Sequence, residues 1–212
     1  GGLQAIRGGR FIDATGDGDL SALAGAAFQL GEGEPPVLQP GTLRFYWKDF
    51  HLEDIDRRQV EESFRQGLEA GEIHRADYWS LEGSPYTIFH DGNNINHISL
   101  NGADSLSRSQ AEVEGRRSVA RLAAWARKRV KGAQRIQPVA CGGEVAVRES
   151  RRIIGDHVIT AAEYVGAAAY PDGVCYSYYP VDLHADGEQT LHNIAVTKDR
   201  VPQIPLSAML VK

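Results

Sequence analysis

Three arginines lie within the five residues 148–152, between two apolar stretches of the chain. If this segment enters a core, its three guanidinium groups cannot all reach water. Arginine keeps its charge when buried and can hold a carboxylate or a phosphate through two parallel hydrogen bonds. The cluster therefore fits the recognition of an anion. It fits equally well a structural ion-pair cluster with the acidic residues nearby, namely Glu144, Glu149 and Asp156.

Asp182 and His184, two positions apart in the chain, are the second candidate for chemistry. On an extended strand, residues at this spacing lie on the same face, so the carboxylate and the imidazole can orient each other. A histidine so placed can donate or accept a proton near neutral pH. The alternative is an ordinary polar strand that is half exposed.

A Gly-rich acidic turn at residues 13–19 is the third candidate, because it follows the apolar pair Phe11 and Ile12 and precedes a run of small residues. This order predicts a strand, a tight turn and a helix. Glycines in such a turn let the backbone approach a ligand, and the new helix offers free N–H groups. The same unit also occurs as plain α/β scaffolding.

Other catalytic chemistries lack their sequence patterns. The chain contains no HExxH, HxxxH or CxxC motif, so we predict no metal site. Ser21 and Ser150 lie outside a nucleophile-elbow context, which argues against an acyl-transfer triad. The acidic turn also lacks the later ligand positions of a calcium-binding loop.

The composition limits which partners the protein is expected to bind and the compartment in which it is expected to occur. The net charge of −5 argues against nucleic acid as a partner. No apolar run approaches membrane-spanning length, so we expect no membrane. The only cysteines, Cys141 and Cys175, predict buried free thiols and a reducing, cytoplasmic location, with a single disulfide between them as the alternative.

Hydrophobic periodicity and capping residues predict four helices. They are a helix through Ala27 with Asp17 or Asp19 as its N-cap, and helices at 53–70, 107–130 and 160–169. In the third, we predict a capping box of Ser109 and Glu112 and a solvated basic face over 121–131. Strands are predicted at 3–6, 11–14, 42–47, 86–90, 95–100, 136–139, 145–147, 153–154, 175–181 and 191–196, with a hairpin turn at 91–94.

Four segments together resemble the FAD-dependent oxidoreductases, two-domain flavoproteins distantly related to the fumarate reductase group. They are IDATGDGDL at residues 12–20, SRSQAEVEGRR at 107–117, VRESRRIIG at 147–155 and YPVDLH at 179–184. The four segments follow the family's order and span nearly the whole chain, so together they are far more specific than any one alone.

The resemblance implies roles for individual residues. Ala14, Thr15, Gly16 and Asp17 would approach the flavin or its phosphates. Arg148, Arg151 and His184 would line the substrate side as catalytic residues, acting on a small-molecule substrate. The cofactor implied is FAD, which carries the redox chemistry while the protein binds and orients the substrate.

We therefore expect an α+β fold with mixed or antiparallel sheet and packed helices, plus a partial strand–turn–helix of an FAD-binding α/β domain at the start. The expected organisation is a partial FAD-binding segment at 1–40, a substrate-side domain at 41–200 and a return segment at 201–212.

The chain contains no GxGxxG in a βαβ context, which is the unit that holds the ADP part of a dinucleotide. We thus interpret the chain as an internal piece of a larger flavoprotein that binds FAD weakly or not at all. Apolar surface near residues 1–30 and 200–212 would then favour a homodimer. The alternative function is a non-catalytic binding domain that retains the fold of the flavoprotein substrate domain.

Overall fold

The computed structural model describes residues 4–79, 83–90, 95–184, 192–194 and 200–212. The chain forms two units. Unit 1 comprises Gly1–Leu30, Arg151–Pro180 and Ile194–Lys212, and unit 2 comprises Gly31–Ser150 and Val181–Asn193. Unit 2 is thus inserted twice into the sequence of unit 1.

The predicted α+β class is confirmed. In chain order the helices and strands are α1 (Asp19–Leu23), β1 (Phe28–Leu30), β2 (Phe45–Lys48), α2 (Arg57–Glu69), α3 (Ser105–Arg129), β3 (Gln137–Cys141), β4 (Arg151–Ile153), α4 (Ala161–Val165), β5 (Gly173–Tyr176), β6 (Val181–Leu183), β7 (His192–Ile194) and β8 (Gln203–Pro205). The strands form the two-stranded sheets β1–β4, β2–β3, β5–β8 and β6–β7, and the first three of these are antiparallel.

The hydrophobic core of unit 2 is built around α3. Its predicted apolar face is buried, including Val119, Leu122 and Ala126. Trp125 from the same helix lies edge-on to Phe64 of α2, with the ring centroids 5.7 Å apart. Burying such aromatic side chains removes a large apolar area from water, which makes this contact a principal source of stability.

The side chain of Asn96 is fully buried and bonds to the backbone of Leu43 as a neighbouring strand would. Its Oδ1 accepts a hydrogen bond from the Leu43 N–H at 2.8 Å, and its Nδ2 donates to the Leu43 carbonyl at 3.0 Å. The hydroxyl of Thr42 donates to the Asn96 carbonyl, and Gly41 pairs with Ile98. Residues 95–98 are thereby held firmly beside residues 41–43, although they form no continuous strand.

Arg121 contradicts the prediction of a solvated basic face on α3. Its guanidinium donates two hydrogen bonds to Asp77, at 2.9 and 2.6 Å, and a third to Glu114 at 2.6 Å. The Asp77 side chain is 1 % exposed, and it also accepts a bond from the His74 N–H. These carboxylates raise the pKa of Arg121, so the helix is tied to residues 74–77 by a charged contact.

One of the three predicted helix caps is formed, and the other two are not. Thr160 and Glu163 form the predicted capping box of α4. Helix α3 instead begins after Asp104, whose carboxylate accepts from the Ser107 N–H, so the predicted capping box of Ser109 and Glu112 is wrong. Helix α1 begins after Gly18 and ends at Leu23, so neither predicted N-cap nor the predicted end at Ala27 is correct.

Several predicted strands are not formed within the described residues. Residues 4–6 and 11–14 are irregular, so the turn before α1 follows no strand. Residues Pro85–Phe89 form a 3₁₀ helix capped by Ser84, because Pro85 favours a helix start. The predicted turn at 91–94 lies outside the described residues, as do Leu191, Ala195 and Val196 of the last predicted strand. Both cysteines are free and exposed, so their predicted burial is wrong.

We expect Asp77→Asn to lower the free energy of unfolding of unit 2 by about 3 kcal/mol, because it leaves the Arg121 charge without its buried partner. Urea denaturation followed by tryptophan fluorescence measures the loss. Glu114→Gln is the matched control, since Glu114 contacts the same guanidinium from a side chain that is 44 % exposed. That variant should lose less than about 1 kcal/mol. Equal losses in both variants would contradict the central role of Asp77.

Candidate functional site

The acidic turn before α1 is closed by its own side chains. One oxygen of Asp13 accepts from the N–H and the hydroxyl of Thr15, and the other accepts from the Ser21 N–H at 2.7 Å. The Thr15 hydroxyl accepts from the Asp19 N–H at 2.9 Å. These hydrogen bonds lower the pKa of Asp13, first through Ser21 and then through Thr15. The amides of Asp19 and Ser21, which a ligand at the helix start would need, are therefore already engaged.

Two glycines of this turn have different reasons to be glycine. Gly16 and Gly18 both have positive φ, at 83° and 64°. A Cβ on Gly18 would lie 2.7 Å from Cγ1 of Ile153, whereas a Cβ on Gly16 would meet nothing within 4 Å. Gly18 is thus required by packing inside unit 1, while Gly16 presents open backbone that another molecule can approach.

Arg151 also belongs to this turn. Its Nη1 donates to the Asp19 carboxylate at 2.5 Å and to the Asp17 carbonyl at 3.2 Å. The guanidinium lies 5.6 Å from the ring centroid of Phe28. Arg151 therefore braces the turn in unit 1. Its ion-pair partner is Asp19, which the sequence interpretation did not list among the carboxylates near the arginine cluster.

Arg148 lies in unit 2 and has a different environment. Its Nε donates to the Pro40 carbonyl at 3.2 Å, and its Nη2 donates to the Thr42 hydroxyl at 3.4 Å. The residue is half-buried, and no carboxylate of the described residues pairs with it. Glu149, its neighbour, accepts from the Gln39 N–H.

Asp182 and His184 meet as predicted. The His184 Nε2 lies 3.2 Å from the Asp182 carboxylate, and the two side chains are 15 % and 18 % exposed. The backbone N–H of His184 donates to the Gln39 side chain at 3.0 Å. The pair therefore lies in a partly enclosed setting, in which its hydrogen bond is stronger than in open water.

His97 completes this group, although sequence patterns did not single it out. Its Nε2 lies 3.2 Å from Nδ1 of His184, and Trp79 stacks on its ring at a centroid distance of 4.6 Å. Burial, followed by the charges of His184 and Arg148, lowers the pKa of His97 from its ordinary value of 6.5 to about 4. His97 is therefore neutral at physiological pH.

The structure brings the predicted residues into two separate groups. Arg148 and His184 lie in unit 2 with His97. Arg151 lies in unit 1 with the turn that contains Ala14, Thr15, Gly16 and Asp17. The one signal that could have marked His97 is its place between apolar neighbours in the run Ile95–Leu100, where a histidine is buried with them.

A group of possible cation ligands forms elsewhere in unit 2. His74, Asp77 and Glu114 place one ligand atom each within 4.8 Å of one another. Arg121 already donates to both carboxylates. Its guanidinium supplies the positive charge that a metal ion would bring, so we assign this group to the ion pair of α3.

An open cleft of about 410 Å³ in unit 2 is lined by residues that include Trp47, His51 and Phe89. None of the predicted site residues lines it.

Comparison with known proteins shows a match to a protein family. The family model described as FAD dependent oxidoreductase matches residues 1–212. No curated protein and no solved structure matches the chain significantly. In the part of the chain that the structure describes, no helix is long and apolar enough to cross a membrane.

His97 makes stability depend on pH. An unfolded histidine binds a proton near pH 6.5, whereas folded His97 resists protonation until about pH 4. As the pH falls through this interval, the unfolded state binds more protons than the folded state, and stability is lost. The loss amounts to about 3 kcal/mol between pH 7.5 and pH 4.

His97→Phe should remove this contribution while keeping an aromatic ring against Trp79. Urea unfolding at pH 7.5, 6 and 4.5 would measure it, with unfolding followed by circular dichroism. The wild-type protein should lose more stability than the variant as the pH falls. Parallel losses would show that His97 is not the group responsible.

Proposed function

The chain belongs to the family of FAD dependent oxidoreductases, and on that premise we propose that it supplies the substrate-side residues of such an enzyme. The reaction is flavin redox chemistry on a small organic molecule. The observation that carries the substrate side is the half-buried Arg148, which has no carboxylate partner among the described residues. A guanidinium in this state favours a substrate with an anionic group, such as a carboxylate.

The two units support the assignment of the cofactor and the substrate to different parts of the chain. We propose that residues 1–40 and 201–212 serve the cofactor, and that residues 41–200 form the substrate side. Membership of Gly1–Leu30 and Ile194–Lys212 in one unit supports the first assignment. Location of Arg148 and His184 in unit 2 supports the second, whereas Arg151–Pro180 belong to unit 1 and are better assigned to the cofactor side. Arg151, which contacts Asp17 and Asp19, would act by shaping the acidic turn at residues 13–19, called the cofactor turn below.

The cofactor turn fits an uncharged part of FAD better than its phosphates. Ala14, Thr15 and Gly16 are exposed, and the open space beside Gly16 lets a flavin approach the backbone. FAD supplies the hydride or electron chemistry when it is bound. The protein supplies backbone contacts at these positions and polar groups from the side chain of Asp17.

Phosphate binding at this turn is opposed by charge. Asp13 is held ionised by the hydrogen bonds that lower its pKa, and Asp17 and Asp19 add two further carboxylates. The N–H groups of Asp19 and Ser21, which would otherwise attract an anion, are engaged by Thr15 and Asp13. We therefore propose that this chain alone binds FAD weakly or not at all.

Titration calorimetry with FAD tests the cofactor side. We expect no dissociation constant in the micromolar range or tighter for this chain. A micromolar or tighter constant would contradict the proposed weakness. The natural protein that contains the chain should show the flavin absorption bands when purified. A colourless protein that cannot be reconstituted with FAD would favour the alternative function, a non-catalytic binding domain.

The substrate side can be tested without a flavin. A panel of small carboxylic acids is titrated into the chain while the indole N–H resonance of Trp79 is followed by NMR. We expect binding of at least one acid, and Arg148→Gln should weaken it by roughly tenfold to a hundredfold, because charge-assisted hydrogen bonds are lost.

Arg58→Gln is the matched control, since Arg58 is an exposed arginine of α2 and lies in the same unit. It should bind the acids like the wild-type protein. Equal weakening in both variants would show a general charge effect. Unchanged affinity in Arg148→Gln would contradict the proposed role of Arg148.

A further inference from the structure

Three side chains of unit 2 form a hydrogen-bonded line. The Asp182 carboxylate lies 3.2 Å from Nε2 of His184, and Nδ1 of His184 lies 3.2 Å from Nε2 of His97. The line ends at Nδ1 of His97, which is buried and has no hydrogen-bond partner among the described residues. An unpartnered polar atom inside a protein is uncommon and costs stability, so it invites a functional explanation.

The direction of the hydrogen bonds follows from the carboxylate. An ionised carboxylate only accepts hydrogen bonds, so Nε2 of His184 must carry a proton and donate it to Asp182. In neutral His184 the other nitrogen, Nδ1, then carries none and accepts. Nε2 of His97 must therefore carry the proton between the rings. Since His97 is neutral, its Nδ1 is left as a bare lone pair.

The opposite direction is unfavourable at the His97 end. It would place a proton on Nδ1 of His97, a buried N–H group without an acceptor among the described residues. It would also require His184 to carry a proton on both ring nitrogens, or to turn a lone pair towards the Asp182 carboxylate. Two further contacts fix the position of the His97 ring. Trp79 stacks on it with the ring planes 17° apart, and the backbone N–H of His97 donates to the Ala76 carbonyl.

We propose that Asp182, His184 and His97 form a directional hydrogen-bond chain whose proton-accepting end is Nδ1 of His97. Asp182 is then a positioning residue, which acts on His97 through His184. The assignment of this acceptor to substrate chemistry rests on the proposed function, but the direction of the chain does not.

The chain can take up a proton without leaving a charge on His97. When Nδ1 of His97 takes a proton from a donor group that reaches this buried atom, an N–H bond forms there and the donor keeps the electron pair. The N–H bond at Nε2 of His97 breaks as that proton moves to Nδ1 of His184. The positive charge then lies on His184, beside the Asp182 carboxylate. Among the described residues, Arg148 also acts on His97, because its positive charge disfavours a cation on His97 itself.

Histidine tautomers, observed by long-range ¹H–¹⁵N NMR of the ¹⁵N-labelled full chain at pH 7.5, test the proposal without substrate or FAD. We expect His97 and His184 of the wild-type protein to be in the Nε2–H form. Asp182→Asn should convert His97 into a mixture of both tautomers, although Asp182 does not contact His97. A purely structural role of Asp182 would leave the His97 tautomer unchanged.

Glu149→Gln is the control, because it removes another carboxylate of unit 2 that lies outside the line. It should leave His97 in the Nε2–H form. If Asp182→Asn does not fold, His184→Phe removes the acceptor of the His97 proton and should produce the same mixture. The proposal is overturned if wild-type His97 is in the Nδ1–H form, or if the folded variant of Asp182 or His184 leaves it unchanged.

Discussion

The geometry of the histidine group depends on one side-chain amide, that of Asn96. By bonding to both backbone groups of Leu43, it satisfies a donor and an acceptor that would otherwise be buried without partners. The backbone carbonyl of Asn96 accepts a hydrogen bond from the Thr42 hydroxyl, and that hydroxyl in turn accepts one from Arg148. One network therefore fixes the position of residue 97 and that of the Arg148 guanidinium.

Around this network the site combines a positive charge with a neutral base. Arg148 lies near enough to His97 to disfavour its protonation, while the Asp182 carboxylate contacts Nε2 of His184. Opposite charges at the two ends of a short line favour the movement of a proton along it. The resulting polarity suits an oxidoreductase of this family, since flavin chemistry removes or adds hydride and proton together.

Local patterns predicted the parts of the fold that local interactions decide. The apolar face of α3 and the capping box of α4 need only neighbours in sequence, and both are present. The partner of His97 is 87 residues away, and that of Arg121 is 44 residues away. No periodicity within a window can reveal such pairings, so a buried histidine and a buried ion pair were missed. The pairing of Asp182 and His184 could be predicted because only Leu183 separates them in the sequence.

Every fully buried apolar side chain of the described residues belongs to the stretch Leu43–Val145 of unit 2. Unit 1 is held instead by polar contacts such as those of Asp13, Arg151 and Asp172. Its amides should therefore exchange with deuterium far sooner than those of α3, through openings that leave unit 2 intact. Unit 2 would then stay folded while unit 1 opens, and proteases would cut unit 1 before unit 2.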